Sequence, residues 1–569
     1  MSKVFLVALI AMLPLALVGS ILVSPAYSQL QPQNQEELMA MFKEVLDNID
    51  QKEIMEHVAF FSSCGSRVTG YPGFFKAMDY VISKFEEYGI QPYGEDGYFE
   101  YFYITIPVDY GANISLEDGE VFHGYNLWPN LVNPSPYRSP PEGDLLVYVG
   151  GGTFDDLSKV NVTDRWVLMD FDSRWFFRLA AMFGAKGVIY IGTGKESRME
   201  AFQKLYNVPM AFPKIYLTPE DGLRLKELCE KQGEVRIWVD SLMKWERIRV
   251  ANIVGFIPGT ANASEIGVIT AYLDSWSIVP ALSPGATDAL GVSALLNFAK
   301  FLAKNPPRRS VMLVVLAGHW QSLWGAREWV DRHFDILGTS VKFFVSLDLS
   351  AGSQQLAVYN RGNVYSYTNL QTLNSRYTSL INLLFRTYLP VLRDESLLGE
   401  RFGAYFIDEI LLTYPPWISA CPPTEFLGAT YFDSEPYVAA CYGGGFAFHT
   451  TNDARVYMKG PGDTYDRIQW DNYWPQVQFV CTSLYGLLNE PVIDLPQSPS
   501  RLEATGEWGY CSLTIRVVSY NMTTAYWDPF DAERHPEAIN DTIVHYQSTA
   551  APAMQAVPSY AAFGAAFIM

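Results

Sequence analysis

The sequence predicts an α/β fold with a mainly parallel central sheet flanked by helices. Between residues 250 and 350, short apolar runs alternate with a longer amphipathic stretch, which is typical of strands joined by crossover helices. Several of these runs carry no charge and lack polar alternation, which indicates strands buried on both faces. The composition agrees, because 49% hydrophobic and only 18% charged residues can build large cores.

The central sheet is predicted from four strands and one helix. The strands are expected at residues 253–257, 266–272, 310–316 and 343–349. The apolar spacing predicts a helix over residues 291–303, and Pro306 and Pro307 would end it. The run at 310–316 is almost wholly apolar, which places it at the centre of the sheet.

The first part of the chain has helical spacing over residues 35–90, interrupted by a Gly- and Pro-rich loop at 66–73. Aromatic and β-branched residues at 98–105 then predict a strand. After a Pro-rich stretch at 134–141, the pattern changes to a strand at 166–171, a helix at 176–183 and a strand at 187–191. This middle part has the size of one ordinary domain and reads as an insert.

The chain is too long for a single core, so several domains are expected. The predicted division is a signal peptide at 1–28, an N-terminal part of the main domain at 29–117, an insert at 118–245, the main domain at 246–497 and a C-terminal accessory segment at 498–569.

The charge balance excludes one class of partner. The sequence has 41 Lys and Arg against 61 Asp and Glu, a net charge of −20, and no run of basic residues. A nucleic-acid surface needs clustered cations to neutralise phosphates, so none is expected. Seven histidines are few, so a metal site must be argued residue by residue.

The N-terminus has the features of an export signal. Lys3 is followed by an apolar run over residues 4–23, and Ala26-Tyr27-Ser28 supplies the small residues of a cleavage site. We expect a secreted protein, with surface association as a variant and no membrane span after signal removal. The run is also long enough to serve as an uncleaved anchor.

Cysteines and glycosylation sequons are compatible with export. The six cysteines are Cys64, Cys229, Cys421, Cys441, Cys481 and Cys511. Cys421 and Cys441 bracket a loop-like stretch that a disulfide could close, but buried free thiols are the simpler reading at this low density. The five sequons begin at Asn113, Asn161, Asn262, Asn521 and Asn540.

Polar residues follow several predicted strands of the main domain. They are Tyr272 and Asp274, then Asp288, then His319 and Trp320, then Asp348, and finally His449. In open α/β sheets ligands bind at the carboxyl ends of the strands, so two carboxylates and an imidazole could meet there on a zinc ion. Taken alone, such residues are more often helix caps or structural histidines.

In this order the motifs resemble metallopeptidase family 28, which includes zinc aminopeptidases, glutamate carboxypeptidase II and the transferrin receptor. The motifs are Asn252-Ile253-Val254-Gly255, Ile257-Pro258-Gly259, Asp274-Ser275-Trp276, Gly285-Ala286-Thr287-Asp288 with Gly291-Val292, Leu323-Trp324-Gly325-Ala326, Leu347-Asp348 and His449-Thr450. Residues 66–73 and 433–437 are also similar. The resemblance implies a zinc-aminopeptidase-like fold, and the insert resembles a protease-associated domain.

The resemblance also implies where this chain departs from the family. Asp288 takes the place of the Asp that bridges two metals, and Asp348 and His449 take retained ligand positions. Tyr272 stands where a His ligand is expected and Trp320 where a Glu ligand is expected. His319 stands where the catalytic Glu base is expected, and Asp274 lies beside the ligands.

These departures predict that zinc binding is weak or absent, because each metal keeps only two protein ligands. We therefore expect a catalytically degenerate peptidase homologue that acts by binding a peptide or protein. One alternative is an active aminopeptidase or carboxypeptidase with a single-metal site built from Asp288, Asp348, His319 and His449. Another is an extracellular structural or surface-associated protein. The sequence leaves the oligomeric state open.

Overall fold

The computed structural model describes most of residues 32–493. The described ranges are 32–131, 133–206, 210–321, 323–337, 339–359, 380, 383–399, 444–450 and 453–493, with four short strands further on at 518–521, 526–529, 561–562 and 565–566. The predicted signal peptide, the similar motif at 433–437, and Cys421, Cys441 and Cys511 lie outside the described residues.

The N-terminal helices form where the spacing predicts them. The α-helices are α1 (Pro32–Asn48), α2 (Gln51–Ser63), α3 (Pro72–Tyr88), α4 (Phe154–Ser158), α5 (Phe177–Met182), α6 (Arg198–Gln203), α7 (Pro219–Gln232), α8 (Ala289–Lys304), α9 (Trp324–Arg332), α10 (Phe334–Leu337), α11 (Leu389–Leu392) and α12 (Trp470–Asn489). Helix α3 begins with Pro72 in its first turn and ends at Gly89, whose φ of 75° is left-handed.

One sheet of 14 strands runs through the described residues. The strands are β1 (Gln91–Pro92), β2 (Phe99–Leu116), β3 (Val121–Asn126), β4 (Tyr137–Arg138), β5 (Asp144–Tyr148), β6 (Trp166–Asp170), β7 (Gly187–Ile191), β8 (Lys214–Leu217), β9 (Val235–Ile257), β10 (Asn262–Tyr272), β11 (Arg309–Leu316), β12 (Val341–Asp348), β13 (Leu356–Tyr359) and β14 (Gly444–Thr450). The main path has the order β13-β14-β12-β10-β11-β9-β2-β3-β8-β7-β6-β5.

The α/β class is confirmed, and the sheet is parallel where the candidate site lies. Strands β11, β10, β12 and β14 are parallel neighbours. Strand β9 joins this group in antiparallel orientation, and β2 pairs with β9 in the same sense, so the sheet as a whole is mixed. The sequence pattern predicts the parallel centre because its strands are apolar on both faces. In contrast, β2 and β9 form a long ribbon with one exposed face.

The middle of the chain forms a unit with its own packing. This accessory unit, residues 121–232, holds the parallel strands β5–β8 and helices α4–α7. Two apolar clusters fill it, one of which also takes in Trp276 and Ile278 from the main part. The boundary predicted at residue 245 lies inside β9, which continues from the unit into the central sheet.

Helix α8 lies at the heart of the main core. All but three of its residues are buried, including Leu290, Leu295 and Phe298. It runs two residues further in the N-terminal direction than the spacing predicts, so Asp288 becomes its N-cap. The carboxylate of Asp288 is therefore held at the N-terminus of a buried helix.

Two further observations concern the predicted export features. Within the ranges given above, no helix is both long and apolar enough to cross a bilayer. Cys64, Cys229 and Cys481 are free, and the latter two are buried, as the simpler reading of the cysteines expects.

Candidate active site

The topology brings the predicted residues together at the carboxyl ends of the parallel strands. Tyr272 ends β10 and Asp348 ends β12, while His449 lies in β14 directly opposite Asp348. Asp288 enters from the start of α8. The Tyr272 hydroxyl donates to Asp348 Oδ1 at 3.1 Å and lies 3.5 Å from Asp288 Oδ1, so one side chain joins both carboxylates.

Asp348 is enclosed by donors. His449 Nδ1 lies 2.8 Å from Asp348 Oδ2, and Arg455 Nη1 donates to Asp348 Oδ1 at 2.9 Å. Burial alone would raise the pKa of Asp348, but the charges of Arg455 and His449 hold it well below its usual range. Burial lowers the pKa of His449, while Asp348 acts in the opposite direction. Both oxygens of Asp348 are therefore already engaged by the protein.

Asp288 is in a different state. It is buried, and its Oδ2 has no hydrogen-bond partner among the described residues. Burial raises its pKa to about 6, with Asp463 adding to the rise and the cations Lys459 and Arg67 opposing it. Asp288 thus keeps one open acceptor at a buried site that holds charges of both signs.

Three rings fill the space beside the carboxylates. Tyr272 stacks on His319, with 3.9 Å between ring centroids and 19° between planes. Trp320 meets both rings edge to face, at 4.5 Å from His319 and 5.9 Å from Tyr272. The three residues that depart from the family pattern therefore form one contiguous aromatic group, which we call the aromatic triad.

Asp274 supports the aromatic triad from behind. Its carboxylate accepts the backbone N–H of His319 at 3.2 Å and that of Trp320 at 3.3 Å. It is fully buried, and this burial raises its pKa to about 6. The predicted position beside the ligands thus corresponds to a carboxylate that fixes the turn after β11.

Two cations of the site are not among the residues predicted from the sequence. Arg455 and Lys459 belong to the segment between β14 and α12, and both are buried. The Lys459 ammonium lies over the face of the Trp320 ring, and a second indole, Trp276, is 5.8 Å away. A signal existed in the chain, because Asp453, Arg455 and Lys459 directly follow the His449 motif and precede Gly460-Pro461-Gly462.

The donor chemistry of these side chains does not fit a two-zinc centre. Within the described ranges, no group of three or more His, Cys, Asp or Glu side chains is arranged to hold a metal ion. Both carboxylate oxygens of Asp348 are engaged in hydrogen bonds, with Arg455, His449 and Tyr272. Trp320 carries only an N–H donor, and a tyrosine coordinates a metal only as phenolate.

Comparison with known proteins bears out the resemblance to metallopeptidase family 28, and it gives no match for the protease-associated insert that the resemblance also implied. Residues 252–393 match the model of peptidase family M28. The chain is therefore similar to this family over that stretch. The matched segment holds the whole aromatic triad, Asp274, Asp288 and Asp348, and it ends before His449.

Individual relatives are distant. A probable zinc metalloprotease of Leptosphaeria maculans is 33% identical over 84 residues, which is 14% of this chain and 20% of the relative. A peptidase M28 precursor from Shewanella amazonensis has 18% identity and a TM-score of 0.49, covering 82% of this chain and 99% of its own. A zinc aminopeptidase from Bacillus subtilis has 15% identity and a TM-score of 0.48, covering 79% and 98%.

Proposed function

We propose that this protein is an exported relative of the M28 peptidases that does not hydrolyse peptides and acts by binding a peptide or protein. The observation that carries the proposal is the aromatic triad. Tyr272, His319 and Trp320 stand at the positions where the resemblance implies a metal ligand, the general base and a second metal ligand. In this chain they pack on one another.

Hydrolysis by a metal peptidase needs a group that takes a proton from the attacking water and passes it to the leaving amine. A carboxylate at position 319 would do so freely. The imidazole of His319 instead stacks on Tyr272, meets Trp320 edge to face and is only 1% exposed. The rings also take up space in which a water and a peptide bond would have to meet.

The same features suit a binding role. Trp320 is the partly exposed member of the aromatic triad, and an indole beside charged groups provides rigid contact area together with polar anchoring, as in protein-binding hot spots. Asp288 Oδ2 offers an acceptor to a donor group of the ligand. The peptide or protein partner is therefore proposed to engage the surface around Trp320 at the strand ends.

The test pairs an activity assay with a binding assay. Purified protein is incubated with amino-acid p-nitroanilides, with zinc and with a chelator, and we expect no chelator-sensitive hydrolysis. A peptide array should show saturable binding that Trp320→Ala weakens by about tenfold or more. Trp175→Ala, which removes an exposed tryptophan of the accessory unit, should leave binding unchanged.

A second candidate is an active zinc exopeptidase with one metal. The open Oδ2 of Asp288 favours it, because an orphaned buried carboxylate oxygen is a natural cation ligand. Stoichiometric zinc together with chelator-sensitive hydrolysis would establish this alternative and eliminate the binding-only proposal.

Export is the remaining part of the proposal. It rests on the signal-like residues 1–28 and the sequons. N-terminal sequencing of protein recovered outside the cell should begin after Ser28. Retention of the first 28 residues in a membrane fraction would instead favour the anchor. Attachment to cell envelopes, together with an absence of peptide binding, would favour the structural role.

A further inference from the structure

A short segment, residues 453–459, delivers two buried cations to the candidate site. Arg455 is 3% exposed and Lys459 is 2% exposed. Both residues have left-handed backbones, with φ of 43° and 77°. A left-handed backbone conformation favours glycine. Two long charged residues that adopt it in one short segment must therefore be stabilised in this conformation by contacts with their neighbours.

The surroundings that hold this backbone are specific. Asp453 Oδ1 accepts the backbone N–H of Arg455 at 2.7 Å, and Asp453 Oδ2 accepts from Ser350 Oγ at 2.6 Å. The carbonyl of Lys459 accepts from the N–H of Ile278 at 2.9 Å. The segment is thus tied to the residues after β12 through Ser350, and to the loop after β10 through Ile278.

Each cation lies against a residue at one of the predicted ligand positions. Arg455 reaches Asp348 with two hydrogen bonds, from Nη1 to Oδ1 at 2.9 Å and from Nη2 to the backbone carbonyl at 3.3 Å. Lys459 lies over the face of the Trp320 ring, which stands where the resemblance implies a Glu ligand. Positive charge at two of the predicted ligand positions is therefore part of the chain itself.

We propose that Arg455 and Lys459 are built-in counter-ions that supply, as fixed side-chain charges, the neutralisation that divalent metal ions give in zinc-dependent relatives. The centre is then complete without metal. Its two cations exclude zinc because they occupy its place and repel its positive charge. This inference rests on the proposed function only in so far as both require a centre that does not depend on metal.

The test measures zinc binding by the full-length chain, by isothermal titration and by metal content after gel filtration. Four proteins are compared with the wild type: Arg455→Met with Lys459→Met, the charge-conserving pair Arg455→Lys with Lys459→Arg, the single variant Arg455→Met, and the control Lys195→Met. Lys195 is exposed, so its removal takes away one positive charge without opening the pocket.

The neutral double variant removes both positive charges from the site and leaves Asp288, Asp348 and His449, which together make the three protein ligands typical of a zinc site. Its zinc Kd should be lower than that of the wild type by about 100-fold or more. The single variant should lie between the two. The charge-conserving pair and Lys195→Met should behave as the wild type does, with no stoichiometric zinc.

Two results overturn the inference. One is stoichiometric zinc in the wild-type chain, and the other is a folded neutral double variant with no gain in zinc affinity. If that variant does not fold, the wild-type melting temperature decides, since a ligand that binds the native state raises it. We expect neither zinc nor a chelator to change the melting temperature. A saturable rise of the melting temperature with zinc overturns the proposal.

The result also separates this inference from the proposed function. Wild-type protein that binds zinc but hydrolyses nothing removes the counter-ion inference and leaves the binding role standing. Wild-type protein that hydrolyses peptides without metal removes the proposed function and leaves the counter-ions standing.

Discussion

Gly291 of α8 lies so close to the backbone carbonyl of Leu347 in β12 that a Cβ atom at position 291 would overlap the carbonyl oxygen. Leu347 immediately precedes Asp348, and Gly291 follows Asp288 by less than one helical turn. This single contact therefore sets how closely the two candidate carboxylates approach each other.

Gly291→Ala should destabilise the protein by about 1–3 kcal/mol or more, because the added methyl must push the helix from the strand. Urea unfolding checks the value. Gly151→Ala is the matched control, since the nearest atom to a Cβ there is 3.8 Å away and an ordinary contact results. Equal stability of the two variants would contradict the close-packing argument.

The extent to which the sequence predicted this region follows from what each pattern encodes. The apolar period predicts α8, and the uncharged runs predict β11 and β12, because burial on all sides leaves a compositional trace. The contact between Gly291 and Leu347 leaves none, since a glycine in a helix has no local signal of what it faces. The pattern did not predict that β9 continues through residue 245, because the polar residues of its exposed face resemble those of a linker.

Arg67 makes a second kind of long-range contact, with the loop that precedes Asp288. It is fully buried and donates to three carbonyls, those of Leu273 at 3.1 Å, Pro284 at 2.7 Å and Gly285 at 2.8 Å. Arg67→Met leaves these acceptors without their donor, so a loss of about 3 kcal/mol or more is expected.

Thermal unfolding and limited proteolysis check the Arg67 prediction, with new cleavage expected in the loop around residue 284. Arg138→Met serves as control, because Arg138 is exposed and pairs with Asp240 at the surface. A variant as stable as this control, with no new cleavage, would show that the loop holds itself.

The accessory unit contains a buried lysine whose charge opposes folding. Burial lowers the pKa of Lys214 from 10.5 to about 7, with Arg178 and Lys204 adding to the effect. Between pH 7 and 10.5 the unfolded chain holds a proton that the folded chain lacks, so stability rises with pH across this window. Below pH 7 the full cost is present, at most about 5 kcal/mol.

Lys214→Met should remove this dependence. The stability gained over wild type should be largest at pH 6.5 and shrink by pH 9, as measured by urea unfolding at both values. Lys231→Met, an exposed change in α7, should give the same difference at each pH. A gain from Lys214→Met that is independent of pH would mean that the lysine is charged in both states.

The candidate site was partly visible in the sequence. Asp348 and His449 lie near one another because their parallel strands are neighbours, and Asp288 joins them from the start of α8. Asp274 and the aromatic triad were also predicted at strand ends, and the resemblance implied their roles. Arg455 and Lys459 could not be found in this way, since their approach depends on left-handed backbone turns that no hydrophobic pattern encodes.

The accessory unit reaches the site through Arg198 at the start of α6. Its backbone N–H donates to the carbonyl of Val456 at 2.6 Å, and its Nη1 donates to that of Ala454 at 3.2 Å. Both acceptors lie in the segment that carries Arg455 and Lys459. Arg198 therefore couples the accessory unit to the segment that carries Arg455 and Lys459.

Arg198→Met keeps the backbone bond and removes the side-chain bond to Ala454. The segment 453–459 should then open more often, and its amides should exchange about tenfold faster, the effect of losing about 1.4 kcal/mol of local stability. Hydrogen exchange read by mass spectrometry measures this segment by segment. Lys195→Met, three residues away and exposed, should leave exchange unchanged. If both variants exchange at the wild-type rate, the remaining bonds hold the segment, and the Arg198 side chain does not stabilise it.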